Sequence, residues 1–306
     1  KHNLYFTRVV SDQFLMFRPA RYEKDEYEKL IEEIEQKNID FMLRQKERFP
    51  QSNVTLRTGV YYVTPECMSA SYAIDVANYA RQKVDNDSKC SVRFYDDEMQ
   101  KRRTLENQIV NEMKEAIEQH QFKVYFQPKY SIKNREITGA EALIRWEREN
   151  GEVLSPDSFI PVYENNGKIV ELDFYVFETV VKYLAKNQKE GRNQVPISIN
   201  ASSLHAMDSQ TITLYMDILK KYDVDPSLVE IELTETAVVS EYESVRELFD
   251  EFQLHGIKTA MDDFGSGYSI LNTIVDIPVD VIKIDRGFIT SCLESDRGIY
   301  FLKHLI

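Results

Sequence analysis

Residues Val229 to Asp263, VEIELTETAVVSEYESVRELFDEFQLHGIKTAMDD, decide how the second part of this chain folds. A short run rich in β-branched residues, 229–233, is followed by a helical stretch over 241–254 and then by a second apolar strand, 256–261. Further strands are expected at 122–130, 137–144, 196–200 and 281–285, with another helical stretch at 170–187. The alternation predicts an α/β fold, a TIM-like (β/α)8 barrel of parallel strands. In such a barrel the loops after the strands share one face, so Glu141, Asn200, Glu232, Asp262 and Lys283 can meet at one place although they are far apart in sequence. A doubly wound sheet is the competing architecture and would gather fewer strand ends at one point.

The chemistry starts from Asp262 and Asp263, placed where the apolar strand 256–261 breaks into the glycine-rich run Phe264-Gly265-Ser266-Gly267-Tyr268. Adjacent carboxylates repel each other unless a cation or a donor lies between them. Alone, the pair reads as a solvated turn. Carboxylates at other strand ends change that reading. Glu141 follows Ile137-Thr138-Gly139-Ala140, Glu232 sits inside Val229-Glu230-Ile231-Glu232-Leu233, and Asn200 ends Pro196-Ile197-Ser198-Ile199-Asn200. All offer hard oxygen, which suits Mg²⁺ or Mn²⁺, whereas Zn²⁺ would recruit His or Cys. His120, His205 and His255 have no paired ligand spacing and read as surface or packing residues.

With 306 residues, 42% of them hydrophobic, the chain is long enough for two domains with substantial cores. The formal charge of −13 speaks against a polymeric nucleic-acid partner, because phosphate-backbone binding needs clustered Lys and Arg. A small phosphate ester bound through metal ions remains compatible with that charge. Cys67, Cys90 and Cys292 are sparse and unpatterned, which suits a reducing cytoplasm. No membrane span or leader is expected within the sequence, although a parent chain anchored through an upstream segment is compatible with it.

Residues 1–100 read as an α+β unit. Leu4 to Val10 and Phe14 to Phe17 alternate as a hairpin, and Tyr27, Leu30, Ile31 and Ile34 form a helical stripe. A strand is expected over 54–63 and a helix over 70–83, with no phosphate loop. Over 101–120, Leu105, Ile109, Met113 and Ile117 recur every four residues and predict a connecting helix packed on one of the domains.

Residues 106–306 resemble the EAL domain of bacterial cyclic di-GMP phosphodiesterases. The signature stands as Glu141-Ala142-Leu143 within Gly139-Ala140-Glu141-Ala142-Leu143-Ile144-Arg145-Trp146. Tyr125-Phe126-Gln127-Pro128, Pro156-Asp157-Ser158-Phe159-Ile160-Pro161, Ile199-Asn200-Ala201-Ser202, Glu232-Leu233-Thr234-Glu235, Asp262-Asp263-Phe264-Gly265 and Ile282-Lys283-Ile284-Asp285 follow in the family's order. The resemblance implies hydrolysis of cyclic di-GMP to linear pGpG with a two-metal site of Mg²⁺ or Mn²⁺. It implies that Glu141, Asn200, Glu232 and Asp262 hold one ion and that Asp263 is shared between two. Lys283 would orient or deprotonate the attacking water, Gln127, Leu143 and Arg145 would contact the dinucleotide, and Glu235 would brace the loop from Asp263 to Tyr268. A homodimer is also expected. The rival expectation is a catalytically silent cyclic di-GMP receptor that signals through the 101–120 helix. The resemblance further implies a barrel whose C-terminal part is missing, since 106–306 falls short of about 250 residues and shows only six strands.

The first hundred residues resemble the later part of a GGDEF domain in degenerate form. Where that family has its signature, this chain reads Val10-Ser11-Asp12-Gln13-Phe14, without the glycines that let backbone approach a nucleotide and with a neutral amide in place of a carboxylate. Lys1-His2-Asn3-Leu4 lacks the Arg and Asp of the product-inhibition motif. The implied role is a non-cyclase platform for packing and dimerisation, with GTP sensing as the lesser alternative.

Overall fold

The structure is a computed structural model, and it describes residues 5–17, 27–51, 54–84, 91–208, 210–266 and 276–305. The chain divides into two compact units, Lys1–Asn107 and Gln108–Ile306. No helix among the described residues is long and apolar enough to cross a membrane.

In the first unit β1 (Tyr5–Val10) and β2 (Gln13–Phe17) pair antiparallel around Ser11, whose φ is 44°. Phe6, Phe14 and Met16 of this hairpin are exposed, so its alternation builds no core. The expected first hairpin residue, Leu4, and the run Lys1-His2-Asn3-Leu4 lie outside the described residues. Helix α1 (Tyr27–Arg48) half-buries Leu30, Ile31 and Ile34. The strand expected over 54–63 is much shorter: β3 covers Thr58–Val60 and pairs in parallel with β4 (Val92–Phe94), which the sequence did not signal. Helix α2 (Ala70–Gln82) begins at Ser69, whose side chain accepts the Tyr72 N–H, and it lies so close to β3 that a Cβ on Gly59 would overlap the Ala77 carbonyl and the Arg81 nitrogen. Helix α3 (Asp97–Glu118) runs through the unit boundary. Its part in the second unit buries Ile109, Met113 and Ala116.

The second unit holds β5 (Phe122–Tyr130), β6 (Ile137–Glu147), β7 (Val153–Leu154), β8 (Ile197–Asn200), β9 (Val229–Thr234), β10 (Lys258–Phe264) and β11 (Val281–Ile284). They form one sheet in the order β11-β10-β9-β8-β6-β5, with β7 paired to β6. From β6 to β11 all pairs along that path are parallel. The expectation of a uniformly parallel barrel fails at β5, which pairs antiparallel with β6 from Phe122 opposite Trp146 to Gln127 opposite Glu141 and beyond. The connection 131–136 is too short for a crossover, which needs a dozen residues or more. Among the described residues the barrel is not closed, because β5 and β11 stay at the two edges.

Helices α4 (Pro156–Asn166), α5 (Ile169–Lys189), α6 (Thr211–Tyr222), α7 (Glu235–Ser240), α8 (Tyr242–Leu254), α9 (Arg286–Leu293) and α10 (Asp296–Leu305) complete the unit. Val176, Phe177, Val180, Val181 and Leu184 of α5 share one core with Ile197, Ile199, Val229, Ile231 and Leu233 of the sheet. Those strand residues alternate, so Ser198, Asn200, Glu230 and Glu232 are left on the opposite face. This alternation places the polar residues away from the helices and toward one another.

Glu178 of α5 ties the end of α6 to that layer. It accepts hydrogen bonds from Lys221 Nζ at 2.8 Å and Tyr222 Oη at 2.7 Å, and Lys182 stands 3.3 Å away. The Lys221 bond above all, with Tyr222 and Lys182, pulls the Glu178 carboxyl down to about 2. A carboxyl depressed in the folded state stabilises above its unfolded value and loses that contribution as the pH falls toward 2. Glu178→Gln is therefore expected to cost at most about 1 kcal/mol at neutral pH, the partners being largely solvated. It should also flatten the acid side of a thermal-melt profile between about pH 4.5 and 2; identical acid profiles for both proteins would contradict it.

Candidate metal centre

Strand alternation sets the site. On β6 the residues Ala140, Ala142 and Trp146 are buried on the helix side, which turns Glu141, Leu143 and Arg145 to the other face. Directly paired residues of antiparallel strands share a face, so Gln127 stands beside Glu141, Tyr125 beside Leu143 and Lys123 beside Arg145. On β8 and β9, Asn200 lies opposite Glu232.

Three carboxylates from three strands converge: Glu141 of β6, Glu232 of β9 and Asp262 of β10 each bring an oxygen within 4.8 Å of the other two. Lys283 of β11 sits among them. Its Nζ donates to Glu232 Oε2 at 2.7 Å, Asp262 Oδ2 at 2.7 Å and Glu141 Oε2 at 3.1 Å, which uses all three ammonium hydrogens. Asn200 Nδ2 donates to Glu141 Oε1 at 3.2 Å. Glu232 is fully buried, and its second oxygen, Oε1, accepts from Lys129 Nζ at 2.9 Å.

These contacts set the charge states. Burial works against ionising Glu232, yet the hydrogen bond from Lys283, with Ser198 and the nearby charge of Lys129, holds its carboxyl below the usual range. Burial likewise opposes the charge on Lys283, but Asp262, Glu232 and Glu141 outweigh it and hold the ammonium above the ordinary lysine range.

The structure revises the setting of Asp262 and Asp263. Both lie inside β10, which extends to Phe264, rather than past the strand's end. Between Met261 and Phe264 the strand advances three residues while β11 advances from Ile282 to Ile284, and Asp263 takes up the extra residue at φ 56°. This is a β-bulge, and Asp is among the residues that tolerate the left-handed region. Its backbone N–H donates to Asp262 Oδ1 at 2.8 Å. The Asp263 side chain is exposed and stands outside the three-carboxylate cluster; partial burial, then repulsion by Asp262 and Asp285, pushes its carboxyl up.

Glu235, the first residue of α7, is buried, and its Oε2 accepts the Gly265 N–H at 2.7 Å. The brace expected of Glu235 thus reaches Gly265, whereas Gly267 and Tyr268 lie outside the described residues. Past Asn200, buried Asp173 accepts from the Ser202 N–H at 2.9 Å and lies 3.0 Å from Nε2 of buried His205, which pins the turn that follows β8. His205 is therefore a packing residue that secures the neighbour of a site strand. Sequence reading passed over Lys129 and Glu230. The signal was present in the period of two, which sets Lys129 on the face of Gln127 and Glu230 on the face of Glu232.

The donor set fits a divalent cation. All donors are oxygens, and three carboxylates against the one ammonium among them leave a formal excess of two negative charges. Lys129 and Glu230, 2.8 Å apart, cancel each other.

A family model described as EAL domain matches residues 110–306. Signaling protein YkoW of Bacillus subtilis (strain 168) is 31% identical over 215 residues, 70% of this chain and 26% of its own length. The bifunctional diguanylate cyclase/cyclic di-GMP phosphodiesterase MucR of Pseudomonas aeruginosa is 26% identical over 286 residues, 92% of this chain and 41% of its own length. The chain thus spans well under half of either relative. Among solved structures, the PaMucR phosphodiesterase in complex with c-di-GMP aligns with a TM-score of 0.58 at 26% identity, covering 63% of this chain and 78% of that one.

Proposed function

The chain belongs to the EAL domain family, and from that premise we propose that it hydrolyses cyclic di-GMP to linear pGpG with Mg²⁺ or Mn²⁺. One observation carries the reading: Glu141, Glu232 and Asp262 bring their oxygens together around Lys283, with Asn200 bonded to Glu141, on one face of the sheet. MucR, named for the same phosphodiesterase activity, and the c-di-GMP-bound structure support the substrate.

In this reading Glu141, Asn200, Glu232 and Asp262 would hold one ion, and Asp263 would be shared with a second. Bound divalent ions lower the pKa of water and neutralise charge on phosphate, so no protein nucleophile is needed. The water oxygen bonds to phosphorus, the ester bond to the 3′ oxygen breaks, and that oxygen takes up a proton, which opens the ring. Lys283 would orient or deprotonate the water, and as an ammonium it would offset the negative charge that gathers on phosphate. Arg145 brings a guanidinium fork that matches phosphate geometry, while Gln127 and Leu143 flank the dinucleotide. Glu235 fixes the backbone beyond Asp263 through Gly265.

For the first unit we propose a degenerate GGDEF-like platform that supports a homodimer and makes no cyclic di-GMP, with GTP at most a regulatory ligand. The match to MucR, which covers 92% of the chain and so takes in much of this unit, supports that origin. The proposed setting is the cytoplasm, where the three cysteines stay reduced.

The test incubates the chain with cyclic di-GMP and Mg²⁺ or Mn²⁺, following pGpG by chromatography beside a binding titration. Product that appears with the cation and vanishes with a chelator is expected. Tight binding with no product would replace the enzyme by a receptor.

A further inference from the structure

Lys129 is the only cation besides Lys283 that touches the cluster among the described residues, and nothing in the proposed chemistry employs it. Its Nζ lies 2.9 Å from Glu232 Oε1 and 2.8 Å from Glu230 Oε1. The two glutamates are two residues apart on β9, on one face, and both are buried. The oxygens of Glu232 are thereby divided between two lysines with different surroundings. Lys283 is shared with Glu141 and Asp262, so an arriving cation competes with it for three carboxylates at once. Among the described residues Lys129 pairs with Glu230 and Glu232, and with neither Glu141 nor Asp262.

Lys129 of β5 pairs directly with Gly139 of β6. A Cβ on Gly139 would meet Lys129 Cδ at an ordinary contact distance of 3.6 Å and the Pro196 carbonyl oxygen at a tight 3.1 Å, so the lysine stem lies directly over Gly139.

We infer that Lys129 is a positioning residue for the candidate metal centre: it holds Oε1 of Glu232 and leaves Oε2 as the single oxygen that glutamate offers to a cation. The inference rests on the metal reading of the cluster. A buried carboxylate free to rotate would present either oxygen, or both, at varying distance, whereas one pinned through its outer oxygen meets the ion in one geometry. Partners that orient ligands in this way typically contribute about 10–100-fold to metal affinity.

The alternative role is compensation of buried Glu230 alone. Lys129→Met, Lys129→Arg and the double variant Lys129→Met with Glu230→Gln distinguish the two in the whole chain, with Mn²⁺ affinity measured by calorimetry beside the melting temperature. Lys129→Met is expected to weaken Mn²⁺ binding about tenfold or more, with part of the loss recovered by Lys129→Arg. The double variant, which leaves no buried charge on Glu230, should melt near wild type yet still bind Mn²⁺ weakly, and it decides the matter if the single variant does not fold. Wild-type affinity in the double variant, or unchanged or tighter binding in a folded Lys129→Met, would overturn the inference, because the lysine would then act by charge alone. The metal reading fails separately, through an absence of Mn²⁺ binding by the wild-type chain or binding that Glu232→Gln leaves intact.

Discussion

Glu232→Gln is expected to lower cation-dependent cleavage of cyclic di-GMP by about a thousandfold, the several kcal/mol that a metal-held transition state supplies. The amide is nearly isosteric but carries no charge, so the cluster keeps only Glu141 and Asp262 as anionic ligands. The fold should survive. Lys129 retains Glu230 and Lys283 retains Glu141 and Asp262, so neither lysine is left without a carboxylate. One mismatch remains, because the amide N–H₂ must face an ammonium, and that costs about 1–3 kcal/mol. Initial rates across a Mn²⁺ titration, read beside circular-dichroism melts, separate the two effects. Turnover within a factor of two of wild type at saturating Mn²⁺ would remove Glu232 from the metal centre.

That one glutamate could be singled out from sequence shows what alternation conveys. Val229-Glu230-Ile231-Glu232-Leu233 sends its β-branched and leucine residues to the helices and its glutamates to the opposite face, as the buried Val229, Ile231 and Leu233 show. The same logic brought Glu141, Asn200, Asp262 and Lys283 to neighbouring strands. It gave no register. The bulge at Asp263 depends on how β10 meets β11, a pairing that no local pattern encodes, so the strand runs past the aspartates where the glycines suggested an end. The antiparallel start was legible in the length of the 131–136 connection but was outweighed by the βα rhythm that follows. Lys129 went unnoticed because a lysine in an alternating strand ordinarily faces water; only the contacts with Glu230 and Glu232, over a hundred residues away, give it a role. In the first unit, β4 is three residues long, too short for a period to show.

The backbone just beyond Asp263 supports the second large effect. Gly265 has a φ of 93°, and a Cβ there would stand 2.5 Å from Phe288 Cγ and 2.7 Å from its Cδ2. Phe288 is tied to the same segment. Its N–H is capped by Asp285 Oδ1 at 2.9 Å, the Asp285 N–H bonds to the Phe264 carbonyl at 3.0 Å, and the Phe288 ring meets Phe264 edge-on at 6.2 Å. Gly265→Ala therefore combines a strained backbone, about 1 kcal/mol, with overpacking of about 1–3 kcal/mol, and a melting-temperature fall on the order of 10 °C is expected. One relief at this point is to move the segment. The Gly265 N–H would then leave Glu235 Oε2, and Asp263, two residues back, would lose the register of its bulge. Pairing Gly265→Ala with Phe288→Ala in a double-mutant cycle isolates the clash with the ring, since the second change removes Cγ and Cδ2 and leaves the backbone strain and the 2.9 Å approach to the Cβ of residue 288. A coupling energy near zero, or a Gly265→Ala protein melting within about 2 °C of wild type, would mean that the strand end is not held between Glu235 and Phe288.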